Sequence, residues 1–155
     1  MQIETYQKCK IPVIKKLSDY EVYRISPNDT NRLAIIFDSS NSENSLTVCL
    51  EIFEPGGATP PHRHNFAVEM FFIIQGEGIA LCDGKETLLK AGDSILMPKA
   101  GTHYIKNTSY ERLYALCMMV PNEDFSELIR NGIPEKLDQE DLRVITRLNP
   151  LAIAL

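Results

Sequence analysis

The chain has 155 residues, with 16 Lys and Arg against 21 Asp and Glu, for a net charge of −5. That length accommodates one domain around a single core, and a 44% apolar, 24% charged composition excludes a disordered, collagen-like or membrane-spanning chain. An acidic balance also argues against nucleic acids and anionic membrane surfaces as partners, because phosphate contacts need Lys and Arg to displace counterions.

In chain order, the N-terminus lacks a charged-then-apolar leader with a small-residue cleavage site, so the expected location is the cytoplasm. Residues 1 to 19 have no sustained period, and Pro12 would interrupt a helix, which predicts an arm or edge strand. From Tyr20 onward, short apolar runs alternate with turn signals: YEVYRI, SPNDTN, LAIIF, DSSNSENS, LTVCLEIFE. The same rhythm continues through Ala67 to Gln75, Gly78 to Cys82, Thr87 to Leu89, Ser94 to Met97, Thr102 to Asn107 and Arg112 to Val120. The last of these holds the longest apolar run, Leu113 to Val120, far short of the ~20 residues a bilayer requires. Eight or nine short strands must hide their edges by closing a barrel or packing two sheets, so the expected fold is an all-β jelly-roll barrel. The tail changes character. Asn122 can cap a helix with Glu123 and Asp124 in its first turn and Gly132 as a stop, and Asp138 can cap a second that ends at Pro150. Here Leu137 and Leu142 form a hydrophobic staple and Asp141 stands at the third helical position. The expected organisation is an arm over 1–19, a barrel over 20–120 and a covering helical segment over 121–155.

Four cysteines, Cys9, Cys49, Cys82 and Cys117, lie far apart, so there is no C-x-x-C pair for zinc or redox work. They read as reduced, mostly buried thiols, with Cys9 in a polar stretch as the one open to reaction.

All three histidines fall within two segments, GGATPPHRHNFAVEMFFIIQG and GDSILMPKAGTHYIKN. In extended chain, successive side chains alternate faces, so His62 and His64 project the same way and Arg63 oppositely. On the next strand Glu69 is in phase with Phe71 and Ile73, and later His103 is in phase with Ile105 and Asn107. Three imidazoles and one carboxylate can therefore enter one interior, where a buried carboxylate needs a partner. Such a set suits one divalent transition metal: iron, nickel, copper, zinc or manganese. An octahedral ion would keep two positions open for water, dioxygen or a chelating substrate.

These residues resemble the motifs of the cupins. The first, G-x5-H-x-H-x4-E-x6-G, is matched by Gly56, His62, His64, Glu69 and Gly76. The second, G-x5-P-x-G-x2-H-x3-N, is matched by Gly92, Pro98, His103 and Asn107, except that the internal glycine stands one place late, at Gly101. The resemblance implies a cupin double-stranded β-helix, often dimeric, with His62, His64, Glu69 and His103 as metal ligands.

A fold does not select a reaction. Phe53, Phe66, Phe71, Ile73, Met97, Ile105 and Tyr114 are the expected pocket lining, by strand phase or by proximity to the motifs, and make it apolar. Such a chamber suits a small, largely apolar organic substrate better than a sugar phosphate, which would need several inward cations. Arg24, Arg63 and Arg112 could hold a substrate carboxylate, though surface arginines are the commoner case. The expected function is a metal-dependent oxidoreductase of dioxygenase type, with Glu69 both ligand and proton acceptor, in a homodimer. The alternatives are a non-catalytic small-molecule-binding protein and a metal-assisted isomerase or lyase.

Overall fold

The computed structural model of the chain describes residues 11–147. After a single 3-10 turn at Leu17–Asp19 come β1 (Glu21–Arg24), β2 (Asn31–Phe37), β3 (Thr47–Phe53), β4 (Val68–Gln75), β5 (Glu77–Cys82), β6 (Lys85–Lys90), β7 (Ser94–Met97), β8 (His103–Asn107) and β9 (Leu113–Val120). The tail adds α1 (Phe125–Arg130), β10 (Ile133–Glu135) and α2 (Gln139–Thr146). The predicted strands lie within a few residues of β1 to β9. Cys9, the first ten residues of the arm and the helix end at Pro150 lie outside the described residues.

All pairings are antiparallel, in one sheet of order β10-β1-β2-β3-β9-β4-β7 and another of order β6-β5-β8. The larger sheet is covered on both faces. Its inner face, with the smaller sheet, forms a core of Leu33, Ile35, Cys49, Phe53, Phe71, Ile73, Ala80, Met97, Ile105, Leu113, Ala115 and Cys117. Its outer face presents Val22, Ala34, Leu50, Ile52 and Tyr114, on which Leu137, Val144 and Ile145 from the tail are packed. This double cover explains why every residue of β3 is buried, a pattern that a strand with one wet face would not show.

The tail therefore does more than cover an edge. Residues Ile133–Glu135, which carry no alternating signature, pair with β1 and extend the sheet. Helix α2 starts where Asp138 accepts hydrogen bonds from the amides of Glu140 and Asp141, with Asp141 reciprocating, a capping box at the predicted site. Beneath it Asp141, fully buried, takes two bonds from the Arg32 guanidinium (2.6 and 3.0 Å), one from Arg112 (3.3 Å) and one from the Tyr114 hydroxyl (3.0 Å). Tyr114 was expected to line the pocket. It sits one position out of phase with Leu113 and Ala115 on β9, so it faces the outer layer, and its hydroxyl is spent on Asp141.

Candidate metal centre

The H-x-H segment is not part of a long strand. It runs antiparallel beside β8, with the His62 amide donating to the His103 carbonyl (3.0 Å) and the His103 amide returning a bond to His62 (2.8 Å). Backbone pairing thus brings two of the histidines together across about forty residues of chain. Alternation does the rest: His62 and His64 are half-buried while Arg63 is exposed, and along β8 His103, Ile105 and Asn107 are buried. Glu69 enters from the facing sheet, on β4, in phase with buried Phe71 and Ile73.

The four donor atoms lie within 4.8 Å of one another. Glu69 Oε2 faces the Nε2 atoms of His103 at 3.0 Å, His64 at 3.2 Å and His62 at 3.8 Å. On the far side of two rings a carbonyl fixes the tautomer: His62 Nδ1 donates to Pro60 O (2.8 Å) and His103 Nδ1 to Gly101 O (2.9 Å). Both rings therefore turn Nε2 toward the centre, as metal-ligating histidines do. The other carboxylate oxygen, Glu69 Oε1, accepts from the Cys117 thiol at 3.1 Å. Burial alone would favour a neutral Glu69, but the three imidazoles around it, His103 at 3.0 Å, His62 at 3.8 Å and His64 at 3.2 Å, outweigh it and hold the carboxyl well below its ordinary range. His62 also loses charge stability to burial, yet the Glu69 carboxylate 3.8 Å away and the hydrogen bond to Pro60 O raise its pKa above the usual value. Three aimed nitrogens and one anionic oxygen fit a divalent transition metal by donor type, number and mutual distance.

The pocket residues divide. Phe53, Phe71, Ile73, Met97 and Ile105 lie in the inner core, and Met97 pairs directly with Glu69 across β4 and β7. Phe66 does not line this space: it is 75% exposed at the tip of the loop between His64 and Glu69. Arg24 and Arg112 are engaged with Glu135 and with Glu54 and Asp138, and Arg63 is exposed.

Several supporting residues escaped the sequence reading. Glu123 belongs to no helical turn. Its carboxylate accepts from the amides of Asn65 (2.8 Å), Phe66 (3.0 Å) and Ala67 (2.7 Å), pinning the loop that joins His64 to Glu69. Desolvation opposes its charge slightly, and the three amides more than offset this, lowering its pKa. The N-cap of α1 is Asp124 rather than the expected Asn122, because the helix begins only at Phe125; the Asn122 Oδ1 instead accepts from the Ser126 amide (3.0 Å). The Phe125 ring stands edge-on to His64 at 6.5 Å. A carboxylate after a strand and before a helix reads as a helix-dipole partner, and only the return of the chain to the H-x-H loop reveals the other use.

The late glycine of the second motif is also explained. Ala100 takes the left-handed backbone, φ 64°, at the place where the cupin pattern has glycine. Gly101 is needed for space, because a Cβ there would meet Cys82 Sγ at 3.0 Å.

The cupin domain family model matches residues 49–119. The uncharacterized protein YdbB of Bacillus subtilis is 40% identical over 81 residues, 52% of this chain and 68% of that protein. An oxalate-binding protein of Thermotoga maritima is 32% identical over 66 residues, 43% of this chain and 54% of that protein, so the chain spans about half the length of this relative. Among solved structures, a predicted oxalate decarboxylase of Thermotoga maritima superposes with a TM-score of 0.64 at 24% identity, over 70% of this chain and 99% of that one, a likeness of fold. The motif spacing, the two antiparallel sheets and these matches place the chain in the cupin superfamily.

Proposed function

We propose that the chain is a metal-dependent oxidoreductase of dioxygenase type, holding one divalent transition metal through His62, His64, Glu69 and His103 and acting on a small, largely apolar organic substrate. The observation that carries it is the four-donor cluster set into a wall of Phe71, Ile73, Met97 and Ile105. A bound divalent ion supplies a Lewis-acid and redox centre with positions left over for a chelating substrate or dioxygen. The chain's own residues do the remainder. The carbonyls of Pro60 and Gly101 hold the imidazoles in register, and Cys117 holds Glu69 by its outer oxygen. The apolar wall excludes water and orients the organic part of the substrate. Glu69, released from a donor bond, accepts a substrate proton at Oε2.

A second reading, a binding protein without turnover, is favoured by the relative named for oxalate binding. Oxygen uptake by the iron-, manganese-, nickel- and copper-loaded protein with phenolic and diketone substrates separates the two. Consumption stoichiometric with product supports the enzyme; saturable binding with no uptake for any metal supports the binding protein. Outward-facing Phe72 (37% exposed) and Leu96 (60%), on β4 and β7 at the end of the larger sheet, suit the proposed homodimer contact. Among the described residues, no helix is long and apolar enough to cross a membrane.

A further inference from the structure

Among the described residues three cysteines are free, Cys49, Cys82 and Cys117. Cys49 and Cys117 are cross-strand partners on β3 and β9, and both belong to the inner core. Two small buried sulfurs facing each other are ordinary packing. Cys117 has a further contact that packing does not require: its Sγ lies 3.1 Å from Glu69 Oε1. The residue opposite Glu69 on β9 is Met119, and Cys117 stands opposite Phe71. The Glu69 side chain therefore reaches diagonally along the sheet face to set that oxygen on the thiol.

Chemistry fixes the direction of this bond. A carboxylate that holds a metal is ionised and can only accept, so the Cys117 S–H donates to Oε1. The two oxygens of Glu69 thus have separate tasks. Oε2 faces the three imidazoles, at 3.0 Å from His103 Nε2, 3.2 Å from His64 Nε2 and 3.8 Å from His62 Nε2. Oε1 is held on the thiol. To join Oε2 on an ion it must give up a charge-assisted bond in the protein interior. The thiol, fully buried, would then be left with Phe71 and the weakly accepting Cys49 sulfur as its cross-strand neighbours.

We propose that Cys117 is a positioning residue that limits Glu69 to one ligand oxygen, and thereby keeps two positions of an octahedral ion open to a ligand that chelates through two oxygens. The inference rests on the metal-centred reading above. Three imidazoles and one carboxylate oxygen fill four positions. A carboxylate bound through both oxygens would fill five and leave room only for a ligand that binds through one atom. The ligand class assigned to the site is accordingly a small two-oxygen chelator, and the thiol is what admits it.

The test uses the manganese-loaded protein, in which water-proton relaxation reports the exchangeable waters on the ion. The ligands are azide, which binds through one atom, and acetohydroxamate, which chelates through two oxygens. Cys117→Val removes the S–H while nearly keeping the volume. It should cut the relaxation by about half and weaken acetohydroxamate about tenfold or more, while azide stays within about threefold. Cys117→Ser, which restores a donor, should return both readings toward the wild-type values. Unchanged relaxation and chelator affinity in Cys117→Val overturn the inference. So does an equal loss of both ligands, the result of a thiol that only fills the core, and so does a Ser variant that behaves as the Val variant. Should the Val variant not fold, Cys117→Ala decides by the same criteria. If the wild-type protein binds no divalent ion, the metal-centred reading falls and this inference with it; manganese bound with no difference between wild type and Cys117→Val overturns this inference alone.

Discussion

The two faces of the larger sheet each hold a buried polar cluster, and they are built on opposite plans. On the outer face, Asp141 is surrounded by Arg32, Arg112, Tyr114 and the Asp138 amide, so both of its carboxylate oxygens have protein partners. Inside, three imidazoles converge on one carboxylate, and Glu51 keeps an oxygen without a partner among the described residues. A closed network is complete without a ligand and fixes the tail on the barrel. An open one leaves bonding capacity for something from outside, which is why function belongs to the inner cluster although the outer one holds more ion pairs.

The contrast breaks most visibly at Asp141. Asp141→Asn should destabilise the protein by about 3–5 kcal/mol, because the buried Arg32 cation loses its compensating charge. Chemical denaturation of the metal-free protein measures this. Replacing the pair together, as Arg32→Met with Asp141→Leu, should recover much of the loss. If the outer face is structural only, metal affinity of the double variant stays at the wild-type value; a large fall would join the two clusters and erase the distinction drawn between them.

Glu51 provides the next effect, with opposite sign. Its pKa is raised to about 8 in the folded chain, from an ordinary value near 4.5, by burial and then by Glu69. The unfolded chain therefore binds fewer protons than the folded one between those values, so Glu51 lowers stability as pH rises through that window. Glu51→Gln lacks this penalty. The metal-free variant should match wild type near pH 4 and exceed it by up to about 5 kcal/mol near pH 9. Thermal unfolding across that range checks it, and a constant difference would show that Glu51 is as well satisfied as Asp141.

Much of this arrangement was legible before any coordinates. Strand phase put His62, His64, Glu69 and His103 on inward faces, because a period of two needs only local sequence. Phase also corrects one of the expected lining residues: the place of Tyr114 between Leu113 and Ala115 sends it outward. Phe66 sits on a loop, where alternation has no force. Glu51 stood in plain sight between Cys49 and Phe53, but a strand buried on both faces has no polar side against which an inward acid looks anomalous. Glu123 and the pairing of Ile133–Glu135 with β1 depend on contacts across long stretches of chain, which no local pattern encodes.

A smaller effect tests how the open cluster is kept in shape. Glu123 holds three amides of the loop between His64 and Glu69. Glu123→Gln removes the charge from those bonds and should weaken metal binding by about tenfold, at the low end of what outer-shell partners contribute. Calorimetric titration with zinc or cobalt reads the change. The same substitution should alter the stability of the metal-free protein only slightly, since the oxygen of a glutamine there still accepts from the amides and the group is only half-buried.

The smallest effect concerns the turn before His103. Ala100 occupies a left-handed backbone, where a Cβ costs about 1–2 kcal/mol, whereas glycine enters that region freely but brings extra entropy to the unfolded chain. The difference favours Ala100→Gly by about 0.5–1 kcal/mol, seen as a modest rise in Tm. Because the Ala100 amide donates to the His64 carbonyl and the next carbonyl receives His103 Nδ1, relief of this strain is applied directly behind two ligands. If the turn positions them rigidly, metal affinity will be unchanged while stability rises. A stability gain accompanied by weaker metal binding would instead mean that the strained alanine restrains the turn, and that the inner cluster is shaped partly by backbone its ligands do not touch.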